Sequence, residues 1–352
     1  MKSLGPEAMG TSIESGSAHA TILVPDTPPK QTPMNKRALL LSTLALFCLS
    51  SGALAQTWPA KPIRLVVPYP PGGLIDNMAR LLAPRLSQEL GQPVVIDNKP
   101  GAGGNVGAAE AARAAADGYT LLMASPPLTI SPALYSALPY KPEQIAPIAL
   151  LGRVPNVLIV KAGGTSSVTQ LIDKARAQPG RLNYASNGNG TSLHLSAELF
   201  KSSTGTFITH IPYRGAAAGI TAVLAGEVDM MFDNLPSAIG QIQAGTVRAL
   251  AVTTTQRSKA LPEVPTLAEA GVPEFDVSAW FGFAAPAGLP PAVLTRLEQA
   301  LEKVSKVPEI ATAMQRQGAE PAYLDSKAMA TFMTGDAAKW KRVAAYAKIT
   351  LD

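Results

Sequence analysis

Two glycine turns carry most of the chemistry open to this chain. Pro70-Pro71-Gly72-Gly73, preceded by Tyr69 and followed by Asp76, lies between the apolar run Ile63 to Val67 and a helical pattern beginning at Leu74. Ser186-Asn187-Gly188-Asn189-Gly190-Thr191 stands between the strand-like Leu182 to Ala185 and a second helical pattern, with His194 one turn inside it. Glycine lets the main chain approach a bound group closely. A helix that starts directly after a strand aims its unpaired N–H groups at the strand's carboxyl end. Two such starts, each contributing ~0.3–1 kcal/mol of favourable field, would hold a carboxylate without an arginine. The plainer reading is an ordinary βα connection, in which Thr191 or Ser192 caps its own helix. Asp76 likewise sits where a helix dipole favours a carboxylate whatever its function.

Other chemistries find less support. Gly101-Ala102-Gly103-Gly104-Asn105-Val106 has the look of a dinucleotide fingerprint, but Val106 occupies the position of the third glycine, and no phosphate-binding G-x-x-x-x-G-K-[ST] occurs. His194 and His210 are not at metal-ligand spacing and no cysteine accompanies them, so neither a metal nor a cofactor is expected. A secreted serine hydrolase using Ser186 or Ser125 with His194 and an aspartate remains an alternative, although no G-x-S-x-G elbow is present. Asp233-Asn234, ahead of Pro236-Ser237, reads as a further polar turn at a strand end, and Arg214 as either a cation for a cleft or a surface residue.

The elements that must position these turns follow one grammar of strand, glycine turn and helix. Strands are expected at 63–67, 93–97 and 119–124, with helices from Leu74 to Leu90 and from about Asn105 to Ala116. This is a βαβαβ start to a parallel sheet. Apolar runs at 148–151 and 157–160 follow, then a second series: helix 168–177, strand 182–185, helix 192–201, strand 207–212, helix 216–224, and strands 228–232 and 247–253. Residues 277–284 are extended, 290–303 helical, and the remainder mostly helical. The expected class is α/β with two lobes, one of residues 56–155 plus 277–352 and one of residues 156–276, each a mostly parallel sheet flanked by helices. Two chain crossings between lobes would form a hinge, and ligand sites favour such interfaces.

Composition sets the bounds. The 352 residues are 47% hydrophobic and 16% charged, enough apolar material for two cores. A net charge of +5, spread without Lys/Arg clusters, argues against nucleic acid. Asn35-Lys36-Arg37, the apolar run Ala38 to Leu49 and Ala53-Leu54-Ala55 have the form of a secretory signal within 34–55, cleaved after Ala55. Residues 1–33 lack periodicity and read as an extension outside the fold that reflects an upstream start codon. The single cysteine, Cys48, lies within the signal, so the exported chain is expected to have neither disulfides nor thiol chemistry.

Several blocks resemble the tripartite tricarboxylate transporter receptors, also called Bug receptors. These are Trp58-Pro59 through Val67-Pro68-Tyr69-Pro70-Pro71-Gly72-Gly73 with Asp76 and Arg80, Asn98-Lys99-Pro100-Gly101-Ala102-Gly103-Gly104-Asn105, and Asp117-Gly118-Tyr119. Tyr184-Ala185-Ser186 with Gly190-Thr191 and His194, Pro212-Tyr213-Arg214-Gly215 and Val264-Pro265-Thr266 continue the likeness. The resemblance implies a type II periplasmic binding protein, or Venus flytrap, that captures a small organic acid (a di- or tricarboxylate, an amino acid or an aromatic acid). It would act as a monomer and deliver the acid to the subunits of a membrane permease. A sensor that docks on a membrane signalling protein is the alternative. Carried over residue by residue, the resemblance assigns ligand contacts to Tyr69, Pro71, Gly72, Gly73 and Asp76 in the first lobe. In the second it assigns them to Ser186, Asn187, Gly190, Thr191 and His194, with Asp233 on the rim. Ser125 opens a segment, Pro126-Pro127-Leu128, that departs from the family's small glycine-containing turn and would line the far end of the ligand.

Overall fold

The computed structural model describes residues 58–351, so the expected signal and N-terminal extension lie outside the described residues. Strand β1 (Ile63–Val67) runs through the turn into helix α1 (Leu74–Leu90), which the left-handed Gly91 terminates. Strand β2 (Val94–Asn98), helix α2 (Asn105–Ala112) and strand β3 (Thr120–Ala124) complete the expected βαβαβ, with both β2 and β3 parallel to β1. Helix α2 is one turn shorter than its alanine content suggests. A short helix α3 (Pro127–Leu134) follows directly on Ser125 and Pro126.

The two apolar runs at 148–151 and 157–160 belong to a single 17-residue strand, β4 (Ile145–Lys161). Its first part pairs antiparallel with β9 (Ser278–Pro286), which in turn pairs with β3. From Asn156 onward β4 pairs with β7 (Met230–Asn234) and β8 (Val247–Val252). Proline is tolerated only where a ladder is interrupted, and Pro155 falls at this change of partners. The intervening Gly152 to Pro155 masked the continuity in the sequence.

Helix α4 (Val168–Ala177), strand β5 (Asn183–Ser186), helix α5 (Ser192–Thr204), strand β6 (Thr209–Pro212) and helix α6 (Ala216–Ala225) lead to β7. Strand β5 lies parallel to both β6 and β7. Asn234 and Pro236 do not merely turn the chain: they open a helix, α7 (Leu235–Gln243), because proline is pre-organised for a first helical turn. After β9 come α8 (Pro291–Ser305), α9 (Pro308–Arg316), a strand β10 (Glu320–Leu324) paired with β4, and α10 (Ser326–Tyr346). The strand order is β2-β1-β3-β9-β4-β7-β5-β6, with β8 and β10 also on β4.

Each strand group is covered on both faces. Leu65, Met123 and Phe283 pack with Met78 and Leu82 of α1 and Leu297 and Leu301 of α8. On the opposite face Val66 and Leu122 meet the alanines of α2, Trp280 and Met329. In the second group Phe200, Tyr184 and Phe232 lie on one face, and Val223, Ile239 and Met231 on the other. Helix α10 packs on both: Met329 joins the first group, while Trp340 and Ala344 join the second together with Ile130 and Leu134 of α3. Its buried Asp336 accepts hydrogen bonds from Trp280 Nε1 at 2.9 Å and Trp340 Nε1 at 3.0 Å, and Thr129 Oγ1 lies 2.6 Å away.

Candidate functional site

Five helix N-termini open on one cavity. It is walled by Tyr69, Pro71, Gly73 and Leu74 at the start of α1, Ser125 to Pro127 at α3, Thr191 and Ser192 at α5, Gly215 and Ala216 at α6, and Asn234 at α7. Each helix follows a strand or a short turn, which sets its amino end at the carboxyl end of that strand; β3 and β7 run in opposite directions, and the long strand β4 that joins their groups brings the two sets of helix starts together. At four of the five starts, Gly73, Pro126, Gly215 and Asn234, no side chain caps the helix. At Gly73 and Gly215 the first N–H groups are therefore left for water or a ligand, whereas at α3 Leu128 N and Thr129 N already donate to Ser125 O and Pro126 O. Thr191 is the exception, accepting the His194 N–H at 3.3 Å. The empty space amounts to about 560 Å³, part of it continuous with solvent. No carboxylate lines it, and Arg214 is its single charged residue.

Half of the residues singled out in the sequence stand on this wall: Tyr69, Pro71, Gly73, Ser125, Asn187 and Thr191. The Tyr69 hydroxyl donates to Gly103 O at 3.0 Å, and burial raises its pKa far above the ordinary phenol range, which keeps it a neutral donor. Asn187 contributes an amide whose Oδ1 is buried without a partner among the described residues.

The other half supports the wall from behind. Asp76, expected to contact ligand, turns its carboxylate back to the main chain, accepting from Gly72 N at 3.0 Å, Arg80 Nε at 2.8 Å and Asn98 Nδ2 at 3.0 Å. Burial would raise its pKa, but these bonds hold it below the usual carboxylate value. Asn98 Nδ2 also donates to Tyr69 O at 2.9 Å, so Asp76 and Asn98 together set the shape of the first turn. Gly72 lies within that turn at φ +91°, a left-handed conformation that favours glycine.

In the second turn Ser186 is fully buried, and its hydroxyl lies 2.7 Å from His210 Nε2 rather than near His194. His194 accepts the Gly190 N–H through Nδ1 at 3.3 Å, and its ring stacks on His210 with centroids 4.3 Å apart. Burial lowers the His194 pKa to about 4, with Lys201 adding to the effect. Burial and the neighbouring His194 lower that of His210 to about 3. Both rings are therefore neutral packing groups. A Cβ added at Gly190 would come within 3.1 Å of the Tyr135 ring.

Asp233 is not on the rim. It is wholly buried at the end of β7, bonded to Asn234 N at 2.8 Å, with Oδ2 left without a partner among the described residues. Burial raises its pKa to about 7, countered in part by the Asn234 N–H and the Asn187 amide. The hydrolase alternative thus finds its serine paired with a different histidine. Among the described residues no three His, Cys, Asp or Glu side chains gather where a metal could be held.

Sequence reading did not assign Ala216, Ser192 or Asn234 to the ligand site, although Ser192 was read as a helix cap and Asn234 as part of a polar turn. Gly215-Ala216 follows β6 with the same strand, glycine, helix grammar as the other turns, and that signal was available. Asn234 was hidden because α7 was read as a turn.

The chain matches known proteins over nearly all of its described length. The profile described as tripartite tricarboxylate transporter family receptor covers residues 78–349. Protein BugT of Bordetella pertussis is 38% identical over 312 residues, which span 86% of this chain and 96% of that protein. The structure of R. palustris Rpa4515 with adipate superposes with a TM-score of 0.81 at 38% identity, covering 83% of this chain and 99% of that one. The periplasmic binding protein BugD gives 0.80 at 31% identity, covering 83% and 99%. The α/β architecture is that of the periplasmic binding proteins, and the chain belongs to the tripartite tricarboxylate transporter receptor family.

Proposed function

We propose that this receptor captures a small carboxylate-bearing organic acid in the cavity between its strand groups and presents it to a tripartite membrane permease. The observation that carries the reading is the convergence of uncapped helix N-termini on a cavity whose lining has no negative charge. The adipate in the R. palustris relative is an acid of this class. The family is one of solute receptors rather than enzymes. The carboxylate would be met by the N–H groups following Gly73 and Gly215, by the Ser125 and Thr191 hydroxyls and by the Asn187 amide. Gly72, Asp76, Ser186, Gly190, His194 and Asp233 would fix the turns that present them. The lobes of residues 56–155 with 277–352 and of residues 156–276 would close on the ligand as a monomer, in the periplasm, after removal of a signal ending at Ala55.

Thermal unfolding with a panel of mono-, di- and tricarboxylates, amino acids and aromatic acids tests this reading. A true ligand at ~100 times its dissociation constant adds about 2.7 kcal/mol of stability. Ligand-free protein that responds to no carboxylate would overturn the proposal.

A further inference from the structure

Two acceptor atoms beside the cavity lack a donor. Asp233 is wholly buried; one carboxylate oxygen accepts the Asn234 N–H at 2.8 Å, while Oδ2 has no partner among the described residues. Asn187, on the turn after β5, lines the cavity, and its Oδ1 is likewise buried without a partner among the described residues. The parallel register Ala185↔Met231, carried on by two residues, sets position 187 abreast of position 233. The Asn187 amide is close enough to act on Asp233 as a donor.

An ionised carboxylate offers acceptors alone, so it holds the amide by its nitrogen and leaves the amide oxygen without a donor. A proton on Asp233 Oδ2 changes both ends of the contact. The new O–H donates to Asn187 Oδ1, and the amide, turned half round about its Cβ–Cγ bond, gives its NH₂ group to the cavity. Both stranded oxygens are then satisfied.

The charged groups on the surrounding elements are engaged elsewhere or remote. Strand β4 sets Val157 opposite Asp233, and its Lys161, with Arg248 of β8, lies at the other end of the ladder. Arg153 stands over the Phe332 ring. Tyr184 of β5 donates to Glu198, which pairs with Lys201 of α5. Asp229, ahead of β7, pairs with Lys174. His194 and His210 are neutral. Helices α6 and α7 carry no titratable side chain, and in the turn before α6 neither Tyr213 nor Arg214 is among the groups that shift Asp233. Burial, the Asn234 N–H and the Asn187 amide therefore set its pKa, which stands at about 7.

We propose that Asp233 is a proton-linked positioning residue: capture of a carboxylate draws one proton from solvent onto Asp233 Oδ2, which turns Asn187 from an acceptor into a donor towards the ligand. This rests on the reading of the cavity as a carboxylate site. Linkage is reciprocal, so a ligand that favours the protonated pair is itself favoured by acid. Affinity is level below the Asp233 pKa and falls above it by up to ~tenfold per pH unit.

Calorimetric titration with adipate, malate, glutamate and benzoate tests it, at pH values of about 6.5 and about 8.5, where their carboxylates are ionised. Each titration is run in two buffers of different ionisation enthalpy, which counts the protons taken up. The native protein should bind about tenfold or more weakly at the higher pH and there take up close to one proton per ligand. Asp233→Asn places an N–H donor where the proton would sit. At the higher pH it should bind about tenfold or more tightly than the native protein, with no proton uptake and no fall between the two pH values. Native binding without proton uptake at the higher pH overturns the proposal, as does a pH dependence that survives in Asp233→Asn; if that variant does not fold, the native proton count decides alone. Either result leaves the carboxylate site standing. Failure of all four acids to bind at either pH overturns the carboxylate reading itself.

Discussion

Gly103 and Asn189 meet across the cleft so closely that a methyl group on Gly103 would overlap the Asn189 carbonyl oxygen. One belongs to the glycine turn before α2, the other to the turn before α5. The mouth of the cleft therefore closes main chain against main chain. Gly103 also has φ +64°, so alanine there meets both backbone strain and collision. Gly103→Ala is expected to weaken carboxylate binding by about tenfold or more, read by calorimetry. Gly163→Ala, with φ +80° but nothing within 4 Å, is the control for strain alone and should leave affinity unchanged.

Thr253 joins the middle of β4 to the residue before β9. Its hydroxyl accepts the Asn156 N–H at 3.0 Å and lies 2.5 Å from Val277 O. Asn156 in turn accepts from Asn234 Nδ2 at 2.7 Å and donates to Ser196 Oγ at 3.0 Å, which ties the cavity wall to the change of partners in β4. Thr253→Val keeps the shape but leaves a buried N–H without an acceptor. Urea unfolding should show a loss of about 1–3 kcal/mol.

Asp336 is the polar centre of the packing between α3, β9 and α10. Asp336→Ala would strand two buried indole N–H groups, from Trp280 and Trp340. A destabilisation of about 3 kcal/mol or more is expected, with Asp336→Asn milder because one acceptor oxygen remains.

Acid should weaken the fold through the histidines and strengthen it through Asp233. His194 and His210 have folded pKa values of about 4 and about 3, below that of an unfolded histidine. The unfolded chain then binds more protons as pH falls from about 6.5 towards 4, so stability is lost in that window. Asp233, raised to about 7, binds its proton more readily in the folded state, so its contribution is largest near pH 4 and declines as pH rises to 7. With two groups against one, the melting temperature should fall from pH 6.5 to pH 4.5. Asp233→Asn should steepen that fall and His210→Gln should flatten it, measured by calorimetry across the range.

Local pattern determined much of this protein. The strand, glycine turn, helix grammar is written in near neighbours, and dihedral preference at Gly91 and the apolar period of α1 act within one element. The two turns at 70–73 and 186–191 could therefore be recognised, and with them the class of chemistry. Tertiary structure decided which side chains face the cavity. Asp76 and His194 sit one turn inside helices whose starts line the wall, yet both point back to brace it, because a buried polar group needs partners that only distant chain supplies. The continuity of β4 through Pro155, the opening of α7 at Asn234 and the placement of Arg214 on the cavity wall likewise depend on residues far apart in sequence. Periodicity carries no information about pairing across such distances, and that is where the division lies.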